Sequence, residues 1–203
     1  MSEVERALSQ LREIHAHLDR GQVFRGWRWM TVAATGLIGL GAAALQESWL
    51  RPTALPAYLG FWIGVAFLGG GLCAADLLLH LRRHGRISVR RQAGTAVLPF
   101  LPAIAVGAAA AYVLWNRPEA ALLPGLWSIA FGLGLSAVRP YLPRGTTGVA
   151  AWFLAAGVFA LAGATSGVVP SPWTMGGSFG VGLLLLALAL QIDLARVSAG
   201  ERR

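Results

Sequence analysis

Lysine is missing from this chain: all seventeen basic residues are arginine. A P-loop needs a lysine followed by Ser or Thr after its glycines, and a glycine fingerprint needs a preceding strand; the glycine clusters here have neither and are no phosphate cradle. Cysteine occurs once, as Cys73, which excludes an internal disulfide and any Cys-x-x-Cys redox or zinc arrangement. No His-Glu-x-x-His segment and no Ser–His–Asp arrangement is present, and the chain reads as a protein that is not an enzyme. Charge is scarce as well. Asp, Glu, Lys and Arg make up 13% of the residues, about half the share in a soluble domain. The net charge of +8 therefore belongs to no soluble nucleic-acid-binding unit, and no nucleic-acid partner is expected.

What is present is apolar and clumped. Hydrophobic residues make up 56% of the chain and the mean hydropathy is +0.59. The charges fall between long apolar runs, and a run of roughly 20 apolar residues crosses a bilayer as one helix. The clearest is Leu55–Leu81, which ends in Arg82, Arg83, Arg86, Arg90 and Arg91. The pattern predicts an all-α polytopic membrane protein: six transmembrane helices, as three hairpins, preceded by a cytoplasmic amphipathic helix. The spans fall at about 29–46, 56–81, 95–115, 120–138, 146–165 and 173–194. Residues 1–24 hold the amphipathic helix, 25–196 the six-helix bundle and 197–203 a tail. Pro99 and Pro102 are expected to kink the third span. The first apolar run follows a charged stretch, is too long for a signal-peptide core and lacks a cleavage site, so no signal peptide is expected.

Arginine sets the orientation. With the N-terminus cytoplasmic, the inner segments hold fifteen arginines and the outer ones two, Arg51 and Arg117. That asymmetry over short loops is the positive-inside pattern. Both termini are then cytoplasmic, and Phe24, Trp27 and Trp29 with Arg25 and Arg28 anchor the first helix at the headgroups. Arginine in place of lysine throughout reads as the codon bias of a GC-rich bacterium. The bacterial inner membrane is the expected location, and anionic lipid headgroups the expected contact of the basic loops.

Residues 2–20 form an amphipathic pattern. Ser2 and Glu5 make a capping box, and Val4, Leu8, Leu11, Ile14 and Leu18 fall on one face. This face docks on the membrane or bundle surface, or on a partner. Small residues spaced by four, Gly60/Gly64, Ala66/Gly70, Gly71/Ala75, Gly176/Gly180 and Ser178/Gly182, let helices approach closely, within the bundle or across a homodimer. A weak repeat joins Gly60-Phe61-Trp62 and Phe67–Gly71 to Gly125-Leu126-Trp127 and Phe131–Gly134, with an echo at Phe179–Gly182.

The chemically capable residues concentrate on the second span. Cys73, Asp76, His80 and His84, at steps of three, four and four, share a sector of roughly 80°. Carboxylate and imidazole inside a membrane suit proton or substrate movement. They equally suit ion pairing, with Asp76 held by Arg82, Arg83 or an arginine of another helix. Asp76, His80 and His84 are the residues that would hold a metal, though none is assigned, and no cofactor is expected. Arg139 and Asp193 fall at comparable depth on the fourth and sixth spans, so a charge cluster with Asp76 is expected.

The stretch Glu3–Arg20, the run Leu122-Leu123-Pro124-Gly125-Leu126-Trp127 and the late Gly177-Ser178-Phe179-Gly180 resemble a group of uncharacterised bacterial inner-membrane proteins. These have a short charged N-terminal helix and six hydrophobic segments. The resemblance implies a membrane location and carries no activity or functional residue. Members of the group have an imidazole in the last helix, where this chain is apolar over Leu183–Leu190. Two functions fit the residues. One is a non-enzymatic scaffold or accessory subunit that binds a membrane-complex partner through the N-terminal helix. The other is a small oligomeric transporter or channel built on Asp76, His80, Arg139 and Asp193.

Overall fold

A computed structural model describes residues 28–50, 54–84, 98–139, 142 and 145–200. The expected helix at 2–20, the arginines at 86, 90 and 91, and the last three residues lie outside the described residues. So do the side chains of His80, Arg83, His84 and Arg196.

The described residues are all-helical, with no strand among them. Helix α1 is Trp29–Leu45, prolonged by a π-helical turn, Gln46–Leu50. Helix α2 is Leu55–His84. Helix α3, Leu101–Leu114, follows a 3-10 turn at Leu98–Phe100. Helix α4, Leu123–Ala137, follows a 3-10 turn at Pro118–Leu122. Helix α5 is Thr146–Ala162. The last rod has three parts: α6 at Pro172–Met175, a π-helical stretch at Gly176–Val181, and α7 at Gly182–Gly200. Four rods are long and apolar enough to cross a membrane: Trp29–Leu50, Leu55–Leu79, Pro118–Ala137 and Pro172–Ala195. Leu98–Leu114 and Thr146–Ala162 are apolar but shorter, the latter about 25 Å at 1.5 Å per residue.

The prolines differ from expectation. Pro99 lies in the 3-10 turn and Pro102 in the first turn of α3, so they open the helix instead of kinking it. A first-turn proline loses no hydrogen bond, because its missing N–H would be unpaired there anyway. Pro118, Pro124 and Pro172 hold the same position in their elements. The first rod also runs on to Leu50, past the expected end of the first span at about 46; Ser48 Oγ donates back to the Ala44 carbonyl at 2.7 Å.

Successive rods run in opposite directions, so one end carries Arg28, Arg82 and Arg139 (the basic end) and the other Glu47, Arg117 and Glu119 (the far end). At the basic end Val32, Leu135, Val138, Leu142, Val149, Phe153, Leu186 and Leu190 form one apolar core. A ring cluster packs against it, joined to it through buried Phe153. Phe131 packs on Phe100, Phe153 and Phe179 with centroids 5.1, 4.6 and 5.5 Å apart. A second core at the far end joins Ala42, Ala43, Tyr58, Leu59, Trp62, Ala120, Leu123 and Met175. There Gly167, at φ 78°, turns the α5–α6 loop so that its N–H donates to the Pro118 carbonyl at 2.9 Å.

Glycine sets the closest approaches. A Cβ at Gly180 would meet Leu40 Cγ at 2.6 Å and the Gly36 carbonyl at 3.1 Å, so α1 and the last rod touch backbone to backbone. Gly125 and Gly157 do the same for α4 and α5. The four-residue pairs on the last rod therefore pack within the bundle. On α2 an added Cβ at Gly60 would meet Trp115 Cη2 at 3.9 Å, whereas around Gly64, Gly70 and Gly71 there is nothing within 4 Å of an added Cβ.

Candidate polar site between α1 and α2

Helix α2 behaves differently in its two halves. From Leu55 to Trp62 it is anchored: Tyr58 and Leu59 are fully buried and the Tyr58 hydroxyl donates to the Ser171 carbonyl at 3.2 Å. Beyond Gly69, none of its described side chains is buried. Phe67, Leu68, Leu72, Leu78 and Leu79 all face outward. The polar contacts of its described side chains in this second half are with α1. Gly69 sits so close to Thr35 that an added Cβ would run into the threonine Cγ2. One turn on, Cys73 Sγ lies 3.6 Å from Thr35 Oγ1. Another turn on, Asp76 meets two donors: Thr31 Oγ1 gives to Oδ2 at 2.9 Å and Arg28 Nη1 to Oδ1 at 3.5 Å.

This arrangement follows from spacing. Gly69, Cys73 and Asp76 are four and three residues apart and share one face of α2; Arg28, Thr31 and Thr35 are three and four apart on α1. Arg82 lies six residues past Asp76, about 120° around the helix, and is exposed. Among the described residues the arginine that pairs with Asp76 is Arg28, the N-cap of the neighbouring helix. The pair is open, with Arg28 60% and Asp76 21% accessible. Thr35 is itself anchored, donating to the Thr31 carbonyl at 3.0 Å.

Of the expected cluster, the structure brings Cys73 and Asp76 to the same seam. Arg139 is exposed at the end of α4, and Asp193 is half-buried on α7. Neither joins Asp76, whose partners among the described residues are Arg28 and Thr31. The reason is α2 itself, since its basic half rests on α1 and not on the helices that carry Arg139 and Asp193. His80 and His84 lie on the last turns of α2, and their side chains are outside the described residues. Among the described residues no three His, Cys, Asp or Glu side chains gather as a metal site.

Sequence reasoning missed Thr31 and Thr35. Their signal was two hydroxyls one turn apart just inside the first apolar run. It also missed the polar ties within the bundle. Trp62 Nε1 donates to the Oε1 of buried Gln46 at 2.8 Å, and Trp127 Nε1 to the Gly107 carbonyl at 3.0 Å. Trp152 Nε1 donates to the Ser178 carbonyl in the π-helical stretch at 2.9 Å. Ser128 Oγ reaches Ser178 Oγ at 3.3 Å, and Ser178 in turn gives to Thr174 O at 2.7 Å. Each tryptophan ties the two rods of one hairpin together. A shallow cleft of about 300 Å³ lined by Ala111, Tyr112, Trp115 and Asn116 lies at the far end, away from Asp76.

Comparison of the chain with protein-family models, with curated proteins and with solved structures finds no match.

Proposed function

We propose that this chain is an integral protein of the bacterial inner membrane, crossing it six times with both ends cytoplasmic, and that it acts as a non-enzymatic scaffold or accessory subunit. The observation that carries this reading is how the interior polar groups are used. Gln46, Trp62, Ser128, Trp152 and Ser178 bond across helices or to backbone, and every buried side-chain nitrogen or oxygen among the described residues has a partner. Inside a bilayer such bonds hold helices together. A bundle closed on itself in this way suits a platform whose specificity lies in what docks on it.

In this reading the amphipathic stretch 2–20 is the docking element, through Val4, Leu8, Leu11, Ile14 and Leu18. The test is purification of the tagged full-length chain from membranes beside a version lacking residues 1–21. The reading requires a protein that co-purifies with the full chain and is lost from the truncated one, while both give the same melting transition. A partner profile identical for the two removes the docking role.

One observation favours a second reading, a small oligomeric transporter or channel: the Arg28–Asp76 pair is ionisable and partly open at a helix seam. An Asp76→Asn variant that loses a solute flux measurable in vesicles with the native chain would support it.

A further inference from the structure

We infer that the basic half of α2 is a hinged arm, latched to α1 by Asp76 and able to leave it. Three observations locate the parts. The anchor is the far half, where Tyr58, Leu59 and Trp62 are buried and Trp62 is bonded to Gln46. The pivot is Gly69-Gly70-Gly71, three consecutive glycines at the point where burial along α2 ends. Glycine is the weakest helix former after proline, and clustered small residues are where helices bend. The latch is polar, made of Asp76 with Thr31 and Arg28, and backed by the Thr35–Cys73 contact.

The energetic contrast between the halves makes this a device. The far half is fixed by apolar burial on several helices. Past the pivot the polar contacts of the described side chains are with α1, and the Arg28–Asp76 ion pair sits among them. The share of each membrane-length window that is buried follows suit: 11% for α2 against 28%, 33% and 56% for the other three. The Asp76 carboxylate accepts from the Thr31 hydroxyl and from Arg28, and these contacts hold the seam closed. Moving Arg28 or neutralising Asp76 removes most of what holds the arm. In sequence the arm leads into the arginines at 82, 83, 86, 90 and 91.

Spin labels on the full-length chain in lipid vesicles test this. On a Cys73→Ser background, one pair is placed at the basic end, Leu79→Cys with Ile192→Cys, and a control pair at the far end, Leu45→Cys with Val113→Cys. All four positions are exposed. The arm from Gly70 to Leu79 is about 14 Å long, so a kink of about 20° moves its tip by about 5 Å. Asp76→Ala should lengthen and broaden the basic-end distance by about that amount and leave the far-end distance unchanged. Exchanging the pair, Arg28→Asp with Asp76→Arg, should restore the native distribution. Adding Gly70→Ala and Gly71→Ala to Asp76→Ala should narrow the distribution, because the pivot stiffens at positions with room for a methyl group. An unchanged basic-end distance in Asp76→Ala overturns the inference. So does an equal shift at both ends, which would make Asp76 a general stabiliser of the bundle.

Discussion

At the scale of single residues, the glycines divide by what stands opposite them. A methyl group at Gly157 would lie 2.6 Å from Ile129 Cγ1 and 2.8 Å from the Gly125 carbonyl. Gly157→Ala has to push α4 and α5 apart, and overpacking of this kind costs about 1–3 kcal/mol. At Gly64 the same methyl group meets nothing within 4 Å. Gly64→Ala should instead raise stability by up to about 1 kcal/mol, the difference in helix propensity. Thermal unfolding in a single detergent should place the two variants on opposite sides of the native chain. Equal melting would mean that Gly64 has a neighbour in the native state. The sequence showed that small residues recur at four-residue steps, but nothing in it separated the two environments, since that depends on which helix comes to lie opposite. Gln46, Ser128 and Ser178 were equally readable as lone polar residues in apolar runs. Their partners were not, because Trp62 and Trp152 become donors only once the rods are side by side.

At the scale of elements, apolar runs were read as helices, and the described residues are all-helical with four rods long and apolar enough to cross a membrane, because length and hydropathy are local properties. Rod ends were less legible. Expecting kinks at Pro99 and Pro102 assumed that the helix had already begun at 95, whereas α3 starts at Leu101. Pro102 therefore occupies the first turn, where its fixed φ suits a helix and no carbonyl is freed. Pro102→Ala should shift the unfolding free energy by less than about 1 kcal/mol and leave the helical circular dichroism unchanged. A change of 3 kcal/mol or more, the scale of an interior proline, would place Pro102 inside a continuous helix. The candidate site was half legible for a related reason. Helical spacing on α2 put Cys73 and Asp76 on one face, and an arginine of another helix was among the partners considered. Arg139 and Asp193 were grouped with Asp76 by depth alone, and depth does not say which helices are neighbours.

At the scale of the whole molecule, the outward surface of the described residues is apolar and compatible with a membrane protein. Phe67, Val106, Tyr112, Phe159 and Leu188 are all more than half accessible, and exposed apolar surface of this extent marks a membrane or partner contact in any folded chain. The rods alternate in direction, and their ends sort the described charges: Arg28, Arg82 and Arg139 at one end, Glu47, Arg117 and Glu119 at the other. If the arginine asymmetry sets orientation as it does across short loops, the far end faces away from the cytoplasm. Single cysteines on a Cys73→Ser background would decide this in intact cells. Ser166→Cys and Glu119→Cys should react with a membrane-impermeant maleimide added outside, and Arg139→Cys only after the membrane is opened. All three positions are exposed, so lack of labelling would not come from burial. Labelling of Arg139→Cys from outside, with Ser166→Cys protected, would invert the protein. Labelling of all three from outside would remove the hairpin between α4 and α5 from the membrane, and with it the six-span reading, since Thr146–Ala162 is one of the two rods whose length alone does not secure a crossing.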